Sequence, residues 1–389
     1  MTRKIIYFTL LLALLACQED ELTPIFEGDL VLSTQQEIDD FGKTGISQIN
    51  GDLTISSSEN EASTITSLKG LKNLTEIKGR LSIYDNDKLT DLEGLNQLTS
   101  IDGSLFIYAN DGLLEISSLN SLTSIGFGLT ISRNEHLVDI AGFDNLRSIG
   151  RGLDIDNNDR LSTIQGFDKL SSVLGFFWVK NNPVLSTITD FSELTLIGEG
   201  LNFRNNIALT DIDAFSNLST VGSDFVLIDN DALTNMEGFS QLSTVGKSIW
   251  ISDNNSLRTL DGLNKISNSP ENIGIVDNMS LIDLNGLSGL RNVGSLSIGD
   301  NESLTSIGLP NLTSVSRALM IVDNNALENL DGMNELSSVG EAIVVNRNAS
   351  LNDFCGIGSI IQNDFTGEFR TSDNALNPTM EDILAGNCN

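Results

Sequence analysis

Apolar residues recur along this chain in one frame of about 24 residues, with polar residues between them. One copy, from Leu81 to Gly103, reads L-x-I-x-x-N-x-x-L-x-x-L-x-G-L-x-x-L-x-x-I-x-G, and the next copy opens at Leu105. The alternation of Leu81 and Ile83 with polar residues predicts a β-strand whose two apolar side chains point inward. One copy cannot bury its apolar side alone, so the frame predicts stacked copies that share a continuous core.

An asparagine holds one fixed position of every copy, at steps of 24 residues at first and of 23 to 26 residues in the last four copies. We expect asparagine and glycine to form the corners of each coil, because both residue types tolerate left-handed backbone. Stacked on one another, buried asparagines can form a hydrogen-bonded ladder along the axis. The residues concerned are Asn86, Asn110, Asn134, Asn158, Asn182, Asn206, Asn230, Asn254, Asn278, Asn301, Asn324, Asn348 and Asn374.

Phenylalanine fills another fixed position in consecutive copies, which we interpret as a stacked spine in the core. These residues are Phe143, Phe167, Phe191, Phe215 and Phe239. The whole frame resembles the receptor L domain, a relative of the leucine-rich repeats found in growth-factor receptor ectodomains, and similar repeats occur in bacterial surface lipoproteins. The resemblance covers roughly residues 28–389. It implies a mostly β fold, a right-handed parallel β-solenoid of about 13 coils of 23–24 residues with short capping helices at both ends. The chain lacks the receptors' cysteine-rich module, so a growth-factor-like ligand is not implied.

Both ends of such a solenoid need caps, because an open end exposes apolar side chains and unpaired backbone. Upstream, residues 30–32 read as a strand, and Ser33-Thr34-Gln35-Gln36 reads as a capping box for a helix to about Phe41. Downstream, we expect a helical turn over 355–362, a last strand over 369–371 and a helix from 377 to about 386.

The N-terminus reads as a signal peptide. Arg3 and Lys4 precede an apolar run over 5–16, which is too short to span a bilayer as a helix. The run ends L-L-A before Cys17 and resembles the lipobox of bacterial lipoproteins, in which this cysteine is acylated and anchors the chain. The alternative is an ordinary signal peptide with an incidental cysteine. The acidic residues 18–21 resemble a signal for export to the outer face of the outer membrane; otherwise they form a solvated tether.

Two interruptions break the frame. Coil one has extra residues near 57–62, and Ser-Asn-Ser-Pro-Glu replaces the usual corner within 265–272. Each is either a surface bulge or part of a site. The chain as a whole is predicted to divide into a signal peptide (1–16), a lipidated acidic tether (17–27), an N-terminal cap (28–50), the repeat solenoid (51–352) and a C-terminal cap with a disulfide (353–389).

Charge and cysteine usage narrow the choice of partners. The chain carries 53 acidic against 22 basic residues, a net charge of −31, which repels phosphate backbones and excludes nucleic acid as a partner. Cys355 and Cys388 remain once Cys17 carries lipid, and in an exported chain a disulfide is the default for such a pair. Membrane contact is expected through the lipid on Cys17.

Residues for catalysis or metal binding are scarce in the sequence. His136 is the one histidine, so neither a tetrahedral zinc site nor a histidine-activated nucleophile is predicted. Acidic corners such as Asp85 to Asp87 offer oxygen ligands for calcium, but a solvated corner explains them better, so calcium is not an expected partner. We expect no metal, no cofactor and no enzymatic activity. The enzyme alternative is a β-helix polysaccharide lyase or hydrolase, although the coils here carry almost no inserted loops.

The two outward positions of each predicted strand carry every tyrosine and tryptophan that follows the signal peptide. Such aromatic sets mark interfaces, although β propensity alone also favours aromatics on sheets. The function that we expect is non-enzymatic recognition or adhesion at the cell surface, with a protein or a glycan as ligand. A structural envelope protein whose sheet packs against a second copy is a further alternative. The candidate ligand-binding residues are Tyr84, Phe106, Tyr108, Trp178, Lys180, Arg204 and Trp250.

Overall fold

The chain forms a parallel β-solenoid of about 14 turns, as the repeat predicts. The computed structural model describes residues 24–57, 63–363 and 365–389. The predicted signal peptide, Cys17, the acidic segment after it and most of the interruption near 57–62 lie outside the described residues. Each turn contributes one strand to a long front sheet, and most turns contribute a shorter strand to a side sheet.

The front sheet is built from the Leu-x-Ile segments of the frame. Leu81 and Ile83 are fully buried, and they lie beside Leu105 and Ile107 of the next strand in exact register. Every coil therefore adds one buried layer to the same core. The strands are Leu30–Leu32, Leu53–Ser56, Leu81–Tyr84, Leu105–Tyr108, Leu129–Ser132, Leu153–Asp156, Phe177–Lys180, Leu201–Arg204, Phe225–Ile228, Ile249–Ser252, Asn268–Val276, Asn292–Gly299, Ala318–Val322, Ala342–Asn346 and Glu368–Ser372.

The side sheet begins with Ile25–Glu27, which pairs with Gln48–Asn50. The last residues of the segment predicted as a tether (17–27) therefore belong to the solenoid, and Phe26 packs against its core. Further strands of this sheet are Glu76–Ile77, Ser100–Ile101, Ser124–Ile125, Ser148–Ile149, Ser172–Val173, Leu196–Ile197, Thr220–Val221 and Thr244–Val245. Two later short strands, Ser314–Val315 and Ser338–Val339, are joined to the front sheet through pairing with Asn292–Gly299.

The third side of the solenoid is less regular and alternates short strands with single turns of 3₁₀-helix. The strands are Asp139–Ile140, Thr163–Ile164 and Thr187–Ile188. The 3₁₀ turns are Lys69–Leu71, Ser117–Leu119, Asp213–Phe215, Glu237–Phe239, Asn285–Leu287 and Cys355–Ile357.

Glycine closes the corner between the side and front sheets in most coils. A Cβ on Gly150 would overlap the carbonyl oxygen of Gly126 in the coil before, so a side chain does not fit there. The interruption predicted over 265–272 lies at this corner. Instead of turning, the chain runs on as one strand, Asn268–Val276, and pairs with Asn292–Gly299 across a register shift. The shift accommodates a coil that is one residue shorter.

The asparagine ladder is confirmed. The backbone N–H and the Nδ2 of each ladder asparagine donate to the Oδ1 of the next; from Asn182 to Asn206 the distances are 3.2 and 3.3 Å. One point of the corner prediction is wrong, because the left-handed residue is the one before each asparagine. Asp85, Ala109 and Arg133 have φ of 55°, 51° and 53°.

The phenylalanine spine is also confirmed. Phe191, Phe215 and Phe239 are fully buried and stack with centroid distances of 5.3 and 5.5 Å. Phe177 and Phe203 of the front sheet meet Phe215 edge-on at 5.5 and 5.6 Å. Aromatic rings from two sides of the coil therefore fill the middle of the solenoid core.

The N-terminal cap contains α1, Gln35–Gly42, whose Ile38 and Phe41 are buried. The capping box is formed by Thr34 and Glu37, one residue later than predicted, because the Thr34 side chain accepts from the Glu37 N–H. Burial of these two apolar residues closes the first coil.

The C-terminal cap contains α2, Gly358–Gln362, and α3, Met380–Leu384. The predicted disulfide is present: Cys355 and Cys388 are bonded, with their Cα atoms 5.0 Å apart. The N–H of Phe354 donates to the carbonyl of Cys388 at 2.7 Å, so the chain end is tied down by backbone as well. No described helix is long and apolar enough to cross a membrane.

Candidate ligand-binding face

The outward side of the front sheet, here called the front face, carries all seven predicted ligand-binding residues. It consists of two columns, formed by the second and fourth residues of each four-residue strand, such as Ser82 and Tyr84. Strict register aligns the columns along the solenoid axis, so that residues 24 apart are direct neighbours about 4.8 Å apart. The seven residues form three separate groups: Tyr84 with Phe106 and Tyr108, Trp178 with Lys180 and Arg204, and Trp250 alone.

The tyrosine group is a cross-strand stack. The rings of Tyr84 and Tyr108 lie 4.8 Å apart and 7° from parallel. Burial raises the pKa of Tyr108, and the neighbouring Tyr84 and Asp85 raise it further. Because the rings cover one another, this group presents mainly ring edges and hydroxyls. Beside it, Phe106 lines a shallow hollow of about 400 Å³ together with Phe127.

The Trp178 ring is contacted by two residues close to it in the chain. Phe176 stacks on it with centroids 4.1 Å apart, and the Nζ of Lys180 lies 4.5 Å from the ring centroid. Phe176 in turn lies over Gly152, where a Cβ would come within 2.6 Å of the phenyl ring. Sequence reasoning missed Phe176, because it lies one residue before the strand. A signal existed, since its position is two residues before Trp178 and therefore on the same side of the chain.

The cation of Lys180 is already paired. Its Nζ lies 3.3 Å from Asp154 of the previous strand, and both side chains are largely covered. Burial raises the pKa of Asp154, while Lys180 opposes the shift. Arg204 on the next strand is exposed and makes no ion pair within the described residues. Of the two cations among the candidate residues, Arg204 is thus the accessible one.

A notch of about 500 Å³ opens on the C-terminal side of the Phe176–Trp178 stack. It exists because Gly200 follows Phe176 at the same position of the next coil and leaves the space open. Asn202 lines the notch, and its Oδ1 has no hydrogen-bond partner. Asp224 lies on the far wall. The notch offers aromatic surface beside the polar residues Asn202 and Asp224.

Trp250 is the most exposed of the candidate aromatics, at 40%. Its ring lies over Gly274 of the next strand, so close that a Cβ on that glycine would overlap ring atoms. The indole therefore covers the sheet surface with one side and faces solvent with the other. Such a ring is suited to stacking with an apolar or aromatic group.

The described part of the chain was also compared with the requirements of a metal site and of a histidine-dependent active site. No group of three or more His, Cys, Asp or Glu side chains there could hold a metal ion. His136 is half-buried, and its Nδ1 lies 2.7 Å from the carbonyl oxygen of Asp111 in the coil before it.

Comparison with known proteins finds one family. Residues 47–138 match the family model described as Receptor L domain. No curated protein matches the chain. The matched region contains Tyr84, Phe106 and Tyr108, and the coils that follow continue in the same register through the front sheet. This chain therefore carries receptor L-domain-like repeats.

Proposed function

We propose that this protein is a non-enzymatic recognition or adhesion lipoprotein of the bacterial cell surface that binds a protein or glycan ligand on its front face. The observation that carries the proposal is the grouping of aromatic side chains there. The fold does not require them, since the same columns hold Thr130, Ser132 and Ser252 in other coils. The ligand-binding role of the receptor L domain family supports the proposal.

The ligand is expected to span the notch beside Trp178 and to reach Trp250. These tryptophans lie three coils apart, or about 14 Å. A notch beside Trp178 at one end and the half-open indole of Trp250 at the other fit an extended ligand better than a small molecule. Both a glycan chain and a peptide have that shape.

The binding test uses residues 17–389 with Cys17→Ser, probed first on glycan and protein arrays. Trp178→Ala and Trp250→Ala should each weaken binding of the captured ligand by about 1 kcal/mol, or roughly fivefold, as for interface aromatics. Leu384→Ala serves as the control, because Leu384 is exposed on α3, outside the front face. Titration calorimetry measures the affinity, and circular dichroism checks the fold.

Full binding by both tryptophan variants would refute the assignment of the front face. Release of shortened products from any captured glycan would instead identify an enzyme, the alternative that the sequence left open.

Anchoring has its own test. Cys17→Ser in the full-length precursor should move the protein from the membrane fraction to the soluble fraction, because the acyl chains are the anchor. Cys388→Ser is the matched control, since it removes a different cysteine and leaves the lipid in place. Cell fractionation followed by a high-salt wash measures the effect. Membrane retention of the Cys17 variant would contradict the lipoprotein assignment, and protease shaving of intact cells tests surface display.

A further inference from the structure

The second half of the front face differs from the first in having no charged side chain in either column over six consecutive strands. The first half carries Asp154, Asp156, Lys180 and Arg204 in the same columns. In a chain with a net charge of −31, this surface carries no charge of its own. We call it the apolar strip; it consists of Val226, Ile228, Trp250, Ser252, Gly274, Val276, Ser297, Gly299, Met320, Val322, Val344 and Asn346.

The surface of the apolar strip has raised and recessed positions that can accommodate the side chains of a partner. Trp250 and Met320 are its most exposed members, at 40% and 41%. In the neighbouring column the surface dips at Gly299, where an added Cβ would come no closer than 3.5 Å to any neighbour. Val276 and Val322 flank this dip in the adjacent coils. A large apolar side chain of a partner would fit into this dip.

Five aspartates border the apolar strip along one edge, each directly after the fourth-position residue of a strand. All five have left-handed backbone, with φ between 52° and 61°. Their N–H groups donate to the next coil, as from Asp277 to Gly299 at 3.0 Å, which fixes the row in register. We call them the aspartate row; they are Asp229, Asp253, Asp277, Asp300 and Asp323.

The fold does not require carboxylates in the aspartate row. The equivalent residues of three earlier coils are Asn157, Asn181 and Asn205, also with left-handed φ, and Asn205 donates to Asn181 at 2.9 Å. Asparagine thus meets the same backbone demand and adds a hydrogen bond. Aspartates at about 4.8 Å spacing repel one another instead.

Few cations of the chain itself balance this row. Arg347 pairs with Asp323 at the C-terminal end, and Arg204 lies near Asp229 at the other end. The described residues supply no ion pair to the three central members, Asp253, Asp277 and Asp300. The row is therefore an unneutralised negative edge beside a neutral apolar surface.

We propose that the apolar strip and the aspartate row together bind a basic amphipathic helix of another protein. The helix would lie along the solenoid axis, with its apolar stripe on Trp250, Val276 and Met320 and a row of lysines or arginines on the aspartates. The proposal rests on the proposed function in placing a ligand on the front face. The two sites share Trp250, and Val226 also lines the notch beside Trp178, but the aspartate row lies outside that notch.

Dimensions favour a helix over an extended chain. Five coils span about 19 Å, which matches about 13 helical residues. The helical pitch of about 5.4 Å is close to the coil spacing of about 4.8 Å, so one residue per turn can face each aspartate. In an extended chain, side chains on the same side recur about every 6.8 Å, which does not match the coil spacing of about 4.8 Å. Successive side chains therefore cannot each face one aspartate. A helix about 10 Å wide also covers both columns.

Charge also selects against the other occupants. A second copy of this chain would bring one aspartate row towards another, with few cations on either side. Anionic lipid would meet the same repulsion. A cationic polypeptide gains attraction from the row and hydrophobic burial from the strip.

The test uses residues 17–389 with Cys17→Ser and a synthetic 18-residue peptide. This peptide places leucines on one helical face and a single row of lysines beside it; a matched peptide carries glutamates in place of the lysines. The protein variant is Asp253→Asn/Asp277→Asn/Asp300→Asn, which keeps residues that the fold uses at this position. The control, Asp87→Asn/Asp144→Asn/Asp168→Asn, removes the same charge at exposed residues outside the strip.

The lysine peptide should bind the parent protein, and the row variant should weaken binding by about 10-fold or more at low salt. The loss should shrink at about 0.5 M salt, where screening is strong. The control variant should stay within about twofold of the parent, since its charges lie outside the strip. Met320→Ser should also weaken binding, because it removes apolar contact without touching the row.

Equal binding of the lysine and glutamate peptides, or an unchanged affinity of the row variant, would overturn the proposal. So would a doubled mass by light scattering without peptide binding, which would assign the strip to a second copy. The experiments distinguish the two proposals. If Trp178→Ala loses binding of the captured ligand while the parent protein does not bind the lysine peptide, the proposed function stands and the helix-binding proposal is wrong.

Discussion

Replacing Asn206 with alanine should lower the free energy of unfolding by about 3–5 kcal/mol, the largest effect expected of a polar residue here. The Asn206 Oδ1 accepts from the backbone N–H and the Nδ2 of Asn182, and its Nδ2 donates to Val179 and Asn230. Alanine leaves these buried groups without partners and without water. Each such group costs about 1–3 kcal/mol.

Chemical denaturation measures this loss, and hydrogen exchange locates it. Protection should fall most in the coils of Asn182 and Asn230, because a solenoid distributes stability between neighbours. Asn217→Ala is the matched control from the same coil. Its side chain also donates to a backbone carbonyl, that of Ser192, but it lies in an exposed setting. Equal effects of the two substitutions would show that the ladder adds little.

Phe215→Ala should destabilise the protein by a similar amount, about 3–5 kcal/mol. The ring is fully buried between Phe191 and Phe239, and Phe177 and Phe203 meet it edge-on. Truncation removes the transfer free energy of the ring and leaves a cavity that a close-packed stack cannot fill.

Phe127→Ala is the control for this substitution, since Phe127 is 57% exposed and should change stability by less than about 1 kcal/mol. Urea unfolding followed by circular dichroism compares the two. If Phe215→Ala loses no more than the control, the spine is loosely packed and contributes little to the fold.

The repeat made most of the fold predictable. A buried Leu, Ile, Phe or Asn at a fixed position stands out because every coil needs the same residue there. The left-handed corner did not stand out, because Asp85, Ala109 and Arg133 share no side-chain chemistry. That corner requires a left-handed backbone conformation, which several residue types can adopt.

The sequence was sufficient to predict which face carries the candidate site, but not which side chains on that face contact one another. Strand alternation placed Trp178 and Lys180 outward from the sequence alone. Whether Lys180 was free or paired with Asp154 depended on side-chain rotamers, which the repeat does not determine. The aspartates of the row were recognised from the sequence only as acidic corners, and not as a row, for another reason. Its residues vary across the whole chain, and they form a row only in the coils that border the apolar strip.

The asparagine ladder also gives the solenoid a polarity. Every link runs in one sense, with N–H groups directed to the oxygen of the next coil, so the amide dipoles add head to tail as in a helix. Such an array needs a donor at its start and an acceptor at its end. Ser57 donates to Asn86, and Asn377 accepts from Asn374 at 3.0 and 3.1 Å. Whole coils can therefore be inserted or deleted between these terminators without leaving an amide unpaired, so the length of the molecule can change while both of its ends stay the same.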